Sequence, residues 1–178
     1  MIDLLFQTLI ACALALLFLG AALHKWRGGL RFEAQLSEYR LLPERLVGPV
    51  ARLLAVLESL VAIALVLPQT RALAALVAAG LLFAYGGAIA VNLLRGRSHI
   101  DCGCGDTPQM LSPWLLLRNA LLAGGALLVA LPAADRALGW TDLALGLPAL
   151  LVLVITYQLA EQLLENASVL REWREARD

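Results

Sequence analysis

The sequence predicts an all-α fold, a polytopic membrane helix bundle. Hydrophobic residues make up 61% of the chain and charged residues 16%, and the mean hydropathy is +0.78. A soluble domain has about 45–50% apolar and about 25% charged residues, so this chain is too apolar to be soluble alone. Five apolar segments approach the ~20 residues that a transmembrane helix needs. The formal net charge is zero, which gives no indication of nucleic-acid binding.

The first apolar segment, Leu4–Leu23, follows Asp3 rather than Lys or Arg and is long enough to span a bilayer. We therefore expect a retained transmembrane helix rather than a signal peptide. Backbone groups cannot stay without hydrogen bonds in lipid, so the other apolar segments are also predicted to be helical. They are about Val50–Leu67, Ala72–Leu94, Trp114–Leu131 and Leu143–Ala160. The prediction is a bundle of four to five transmembrane helices.

Two polar stretches complete this organisation. Residues 24–49 lie between the first and second apolar segments and are too charged to cross the membrane, so they are predicted to hold an interfacial segment with a short helix. The C-terminal end is predicted to extend the fifth helix as a polar tail. The expected division is a transmembrane domain over residues 1–165 and a tail over residues 166–178.

The candidate chemistry lies in Cys102-Gly103-Cys104, inside a polar run between the third and fourth apolar segments. Two cysteines at i and i+2 can form a disulfide only where the chain bends, and glycine permits such a bend. A strained disulfide of this kind is easily reduced. The pair could exchange electrons with a partner, form a static disulfide, remain as idle thiols or bind a metal.

Metal binding is the least favoured of these uses. Structural zinc takes four ligands, and the local donors are the two cysteines, His99 and a carboxylate such as Asp101. The third cysteine, Cys12, lies within the first apolar segment, where a cysteine behaves as a small hydrophobe. The sequence therefore favours redox exchange at Cys102 and Cys104, with Gly103, His99 and Asp101 in supporting positions.

Ionisable and amide side chains inside the apolar segments are further candidates, because polar groups in a membrane are costly and commonly functional. If all five segments cross, these side chains lie towards the membrane side that carries the cysteines. We expect Glu58 to pair with Arg118 beneath the cysteines. In the alternative, Arg118 extends to the headgroups and Glu58 is protonated or hydrogen-bonded. The candidate supporting residues of this group are Glu58, Asn92, Arg118 and Asn119.

Several motifs resemble a known membrane superfamily. Gly20-x3-His24-Lys25, Leu41-Leu42-Pro43, Glu58 and Arg71 resemble the DoxX-like proteins. The run His99-x-Asp101-Cys102-Gly103-Cys104-Gly105, and Pro113 followed by Arg118-Asn119, are similar to one branch, the methylamine utilisation protein MauE family. The resemblance covers roughly residues 4–165. Where that family often has an aromatic residue after the second cysteine, Cys104 is followed here by Gly105-Asp106.

The resemblance implies a multi-pass protein of the bacterial inner membrane that helps exported, disulfide-rich client proteins to mature. It implies a thioredoxin-like partner of the MauD type, with Cys102 and Cys104 carrying the exchange. No cofactor signature is evident, although a quinone could serve as an electron carrier. Two other functions remain open: a non-enzymatic assembly factor or accessory subunit, and a small transporter using Glu58 and Arg118.

The charge distribution and the resemblance predict different sides for the cysteines. If all five segments cross, ten Lys and Arg residues of the loops and ends lie on the cysteine side, and two, Arg71 and Arg136, lie on the other side. The positive-inside rule then places the cysteines in the cytoplasm. A thioredoxin-like partner outside the membrane needs the cysteines on the outer face, or a path for electrons through the membrane. Three outcomes remain open: the charge rule fails because the first loop is an interfacial helix, one apolar segment does not span, or the protein conducts electrons outward from cytoplasmic thiols. We favour the outer face.

Overall fold

The structure is a computed structural model that describes residues 2–102, 110–134 and 136–175, without the side chains of residues 164, 165 and 167–175. Most of these residues lie in α-helices, which confirms the predicted all-α class. The helices that the described ranges contain are α1 (Leu4–Arg27), α2 (Gly29–Glu38), α3 (Glu44–Val66), α4 (Arg71–Leu94), α5 (Pro113–Val129) and α6 (Trp140–Glu175). The chain divides into two compact units, Met1–Arg136 and Ala137–Asp178.

The first unit begins with a capped membrane helix. Asp3 is the N-cap of α1, and its carboxylate accepts hydrogen bonds from the backbone N–H groups of Leu5 and Phe6 at 2.9 and 3.4 Å. Such a cap satisfies N–H groups that have no partner inside the helix. The helix continues past the predicted end at Leu23 to Arg27. Gly28 separates it from α2, which is the short helix that the polar stretch predicts.

Prolines lie at or near the ends of α3 and at the start of α5. Pro43 is the N-cap of α3, and α3 ends at Val66, shortly before Pro68. Because the residue before a proline disfavours the helical conformation, this ending is expected. Pro113 is the first residue of α5, a position where proline's missing N–H costs no hydrogen bond.

Helices α1, α3, α4 and α5 of the first unit pack in a ring. Helix α1 packs against α3 and α5, and α4 packs against the same two helices, so α3 and α5 are diagonal to each other. Helix α2 packs mainly on α3. Small residues line much of the core, including Ala11, Ala75, Ala78, Ala123 and Ala126. Their size allows the backbones to approach closely, as in other membrane bundles.

Four helices in the described part of the chain are long and apolar enough to cross a membrane: Leu4–Arg27, Glu44–Val66, Arg71–Leu94 and Trp140–Leu163. Helix α5 is apolar but shorter, with 17 residues. It nevertheless runs between the same two ends as α1, because Ile2, before α1, forms a bridge with Ala133, after α5. The chain is therefore a multi-pass membrane protein.

The second unit consists chiefly of α6, which has 36 residues. Its apolar part, Trp140–Leu163, is long enough to span a bilayer, and the same helix continues to Glu175. The predicted helical tail is present as far as Glu175. The predicted division after residue 165 falls inside this continuous helix and stays a prediction.

Polar side chains close the end of the first unit that lies opposite the cysteines. The Gln7 amide donates to the backbone carbonyls of Val129 and Leu131 at 2.9 and 2.8 Å, at the end of α5. Arg71 donates through Nε to the carbonyl of Leu65 at 3.2 Å, at the end of α3. Both side chains satisfy carbonyls that a helix leaves without an internal partner. Sequence reasoning missed this role, since it sought ionisable groups near the cysteines.

Candidate functional site

We call the end of the first unit where α1 ends and α5 begins the cysteine pole. The described residues between α4 and α5, 95–102 and 110–112, lie at this end and include Cys102. These two stretches are joined by an antiparallel bridge between Asp101 and Met110. The Leu111 N–H donates to the carbonyls of Ser98 and Ile100, both at 3.1 Å. The flanks of the Cys-Gly-Cys run are therefore fixed to each other, while Gly103 and Cys104 lie outside the described residues.

Cys102 is buried within the protein rather than exposed at the pole. It is 7% exposed and belongs to an apolar cluster with Tyr39, Ile89, Ile100, Leu111 and Leu115. Arg118 of α5 brings Nη2 to 4.0 Å from the Cys102 sulfur. A positive charge beside a cysteine favours its thiolate form, which is the form that attacks and leaves in disulfide exchange. The arrangement thus joins a buried cysteine with a fixed cation.

Helix α2 packs against residues 97–102, which we call the cysteine segment. The Gln35 side-chain amide donates to the carboxylate of Asp101. The Tyr39 hydroxyl donates to the backbone carbonyl of Cys102 at 3.2 Å. Arg97 donates to the carbonyl of Glu38 at 2.9 Å. Three contacts therefore join the C-terminal end of α2 to residues 97–102.

The two predicted asparagines serve the backbone around this segment. Asn92 is fully buried, donates to the carbonyl of Ala88 at 3.1 Å and accepts from Arg97 at 3.3 Å. Asn119 is buried and donates to the carbonyl of Leu115 at 2.8 Å. A Cβ added at Gly86 would lie 3.6 Å from the Cβ of Asn119. Asn119 therefore marks a close approach between α4 and α5, immediately after Arg118 in the chain.

His99 lies in the same segment but is exposed to solvent. Among the described side chains, no group of three or more His, Cys, Asp or Glu residues is placed to hold a metal ion. The structure thus brings Cys102, Asp101 and Arg118 together, with Asn92 and Asn119 supporting the backbone around them. It places His99 at the surface.

The expected pair between Glu58 and Arg118 is wrong. Glu58 is 1% exposed, and its Oε1 accepts from Lys25 Nζ at 2.9 Å and from the Tyr85 hydroxyl at 2.6 Å. The Lys25 ammonium also lies 4.7 Å from the centre of the Phe32 ring and 5.6 Å from that of Tyr85, within the range of cation–π attraction. No described residue donates to Glu58 Oε2, which is also buried.

The directions of the helices explain this correction. Side chains of a helix lean towards its N-terminus. Arg118 belongs to α5, which starts at the cysteine pole, so it reaches back towards Cys102. Lys25 belongs to α1, which starts at the opposite end, so it reaches into the bundle and meets Glu58. Glu58 on α3 and Arg118 on α5 are moreover on diagonal helices.

Sequence reasoning also missed Gln35, Tyr39 and Tyr85 as parts of this region. Gln35 and Tyr39 lie in the polar stretch, where a helix was expected but no inward face was assigned. One signal was available, because Phe32, Gln35 and Tyr39 follow the spacing of one helix face. For Tyr85, nothing in one sequence indicates which α4 residue lies opposite Glu58.

Comparisons with known proteins agree with this architecture. A family model described as methylamine utilisation protein MauE matches residues 4–132. The chain is 41% identical to a methylamine utilization protein MauE of Paracoccus denitrificans, over 85% of this chain and 88% of that protein. Proteins of the same name in Paracoccus versutus and Methylorubrum extorquens are 46% and 45% identical. Those matches cover 84% and 80% of this chain and 82% and 78% of the relatives.

No solved structure matches the chain. The family match nevertheless covers most of the first unit, including Glu58, Cys102 and Arg118. Taken with these relatives, it shows that the chain belongs to the methylamine utilisation protein MauE family.

Proposed function

We propose that the protein is a thiol–disulfide redox protein of the bacterial inner membrane. In this proposal it works with a thioredoxin-like partner and supports disulfide formation in an exported client protein. The observation that carries the proposal is the Arg118 guanidinium, 4.0 Å from the sulfur of Cys102, which is the first cysteine of the Cys-Gly-Cys run. A partly buried arginine whose guanidinium lies beside a sulfur atom can stabilise the thiolate that leaves in disulfide exchange.

The burial of Cys102 assigns different roles to the two cysteines. A partner thiol cannot approach a sulfur in a side chain that is 7% exposed without displacing the residues around it. We therefore assign first contact with the partner to Cys104 and the leaving and resolving role to Cys102. Arg118 stabilises the negative charge that Cys102 carries in either role.

The exchange balances without an additional reactant. A partner thiolate attacks Cys104 of the Cys102–Cys104 disulfide, forming a mixed disulfide, and Cys102 leaves as a thiolate beside Arg118. The second partner thiolate then attacks the partner sulfur in the mixed disulfide and releases Cys104 as a thiolate. The partner dithiol is oxidised to a disulfide, the Cys102–Cys104 disulfide is reduced to two thiols, and the partner's two protons pass to them. The reverse sequence reduces the partner.

Single substitutions test these roles. In the Cys102→Ser variant, Cys104 can attack an oxidised partner, but no resolving thiol remains in this chain. We expect a mixed disulfide with a thioredoxin-like protein to accumulate on a non-reducing gel of membranes. The Cys104→Ser variant should trap much less, because Cys102 is buried. A Cys12→Ser variant is the control and should resemble the unchanged protein. If neither variant traps a partner while client maturation stays intact, the proposal is refuted.

A non-enzymatic assembly factor is the second candidate, and the burial of Cys102 favours it. A buried, clamped cysteine also suits a static clip that fixes the segment between α4 and α5. This function predicts that the double variant Cys102→Ser with Cys104→Ser still supports maturation of the client. The redox function predicts that the double variant fails even when it accumulates to normal levels in the membrane.

A further inference from the structure

One face of α2 and the residue that caps it point towards the functional residues. Phe32, Gln35 and Tyr39 are all buried, at the i, i+3 and i+7 spacing of a single helix face. Phe32 faces the Lys25 ammonium, Gln35 bonds Asp101, and Tyr39 bonds Cys102. This face therefore extends from the buried Lys25–Glu58 pair at one end to the cysteine segment at the other.

The contacts of α2 hold residues 100–102, which are also hydrogen-bonded to the residues just before α5. Asp101 is bridged to Met110, and the carbonyl of Ile100 accepts from Leu111. Gln35 and Tyr39 add one bond to the Asp101 side chain and one to the Cys102 backbone. Neither contact involves the Cys102 sulfur, so both can influence where that sulfur lies without taking part in its chemistry.

The chain direction after α2 helps to fix Tyr39. Tyr39 caps the C-terminus of α2, and the next residue, Arg40, has a φ of +48°. This left-handed conformation is uncommon for a residue other than glycine, and it ends α2 immediately after the tyrosine. The Tyr39 ring is thus held on the helix that packs against α3, while its hydroxyl reaches the cysteine segment.

We propose that Gln35 and Tyr39 are positioning residues that hold the Cys102 segment against α2 and so limit the rate at which Cys102 reacts. That this limits reaction of Cys102 with partner thiols rests on the proposed function. That Gln35 and Tyr39 hold Cys102 in its buried position rests only on the contacts described above. Cys102 reacts when the segment moves away from α2, and each hydrogen bond lost makes that movement easier. Removing one bond of ordinary net strength should raise the open population about fivefold.

The test uses the full chain in detergent micelles with Cys12→Ala and Cys104→Ser, because the chain has three cysteines. Cys102 is then the remaining cysteine, and the rate of its reaction with N-ethylmaleimide is measured. Tyr39→Phe and Gln35→Leu should each raise the rate about fivefold. Ser37→Ala is the matched control: Ser37 lies between them, is exposed, and bonds the carbonyl of Ala34 within α2. Its substitution should leave the rate unchanged.

A reversed pair separates positioning from general loss of structure. Gln35→Glu alone places two carboxylates together and should speed the labelling of Cys102. Adding Asp101→Asn exchanges the amide and the carboxylate between the two positions and should return the rate towards that of the unchanged chain. A thermal midpoint for each variant shows whether the whole fold has weakened. Equal labelling rates in Tyr39→Phe, Gln35→Leu and Ser37→Ala, or no rescue by the reversed pair, would overturn the proposal.

The proposal and the proposed function fail in different ways. If the protein does not exchange disulfides, no mixed disulfide forms with Cys102→Ser, yet the labelling of Cys102 still responds to Tyr39→Phe. If α2 does not position Cys102, mixed disulfides form but labelling does not respond.

Discussion

The Lys25 ammonium points into the bundle and donates to the Glu58 carboxylate, with 2.9 Å between Nζ and Oε1. Lysines near the ends of membrane helices usually extend towards the headgroups. Here the opposite direction is stabilised by a carboxylate, by the Tyr85 hydroxyl on the same oxygen and by two aromatic rings. The pair joins α1 to α3, and Tyr85 extends it to α4.

The first prediction concerns the loss of one partner of this pair. Lys25→Met leaves the Glu58 carboxylate buried without its cation, which costs about 3–5 kcal/mol in comparable buried pairs. We expect a lower unfolding midpoint by circular dichroism in detergent micelles. The double variant Lys25→Met with Glu58→Leu should recover much of the loss. A double variant as unstable as the sum of the two single variants would show that the groups act independently.

The second prediction concerns the Tyr85 hydroxyl, which lies 2.6 Å from Glu58 Oε1. Tyr85→Phe keeps the ring and removes the donor to a charged group, a bond worth about 1.5–3 kcal/mol. The free energy of unfolding should fall by about that amount. In a Glu58→Gln background the same substitution should cost less, because the charge is gone. If Tyr85→Phe lowers the free energy of unfolding equally with Glu58 and with Glu58→Gln, the Tyr85–Glu58 hydrogen bond does not contribute to stability.

The third prediction concerns Arg118 and the leaving thiolate of Cys102. Their charges at 4.0 Å would attract by about 1 kcal/mol in water and about 4 kcal/mol near a protein surface. Arg118→Gln should therefore slow reduction of the Cys102–Cys104 disulfide by dithiothreitol at least fivefold, while Arg118→Lys should slow it less. Arg95→Gln, an exposed arginine of the same segment, serves as the control. No change with Arg118→Gln would remove the main support for the redox proposal.

The fourth prediction concerns pH at the opposite end of the bundle. The Arg136 side chain donates to Asp3 and holds the pKa of that carboxyl below its ordinary value of 3.8. A lowered pKa in the folded state means that the pair adds stability above pH 3.8 and loses it as the pH falls through the lowered value. A carboxyl NMR titration should show the pKa of Asp3 rising in Arg136→Gln. An unchanged Asp3 titration would show that the two groups do not interact in solution.

The fifth prediction concerns the membrane side of the cysteine pole. Ser37→Cys and Gln69→Cys place single exposed thiols on α2 and on the turn between α3 and α4, at opposite ends of the bundle. With the native cysteines replaced, an impermeant maleimide should label one of them in intact cells and the other only after lysis. An outward-facing partner requires Ser37→Cys to be the one labelled in intact cells. The reverse result would place the site in the cytoplasm, as the charge count indicates.

The sequence predicted the helices well because apolar segments determine where membrane helices form, and prolines mark several of their ends. Helix α1 was predicted to end at Leu23 and is found to end at Arg27. Lys25 is a charged residue and was placed outside the membrane helix, but its ion pair with the buried Glu58 allows it to lie within α1. Helix α3 likewise begins at Glu44 rather than near Val50, because α2 packs beside its first turns.

The sequence predicted that several candidate residues lie near one end of the bundle, but not which of them are in contact. Cys102, Asp101, Asn92, Arg118 and Asn119 were correctly placed near one end of the bundle. Which of them meet depends on the order of helices around the ring and on the lean of each side chain. That order cannot be read from one sequence, so Arg118 was assigned to Glu58 instead of to the sulfur.

The length of α5 has a consequence for the lipid around the protein. Its 17 residues rise about 26 Å, several Å less than a typical hydrocarbon layer of about 30 Å. A bilayer adapts to a short span by thinning locally, which draws the headgroups inward beside Pro113 at the cysteine pole. Acyl-chain length is therefore a variable that should tune this site, with thinner membranes fitting it best.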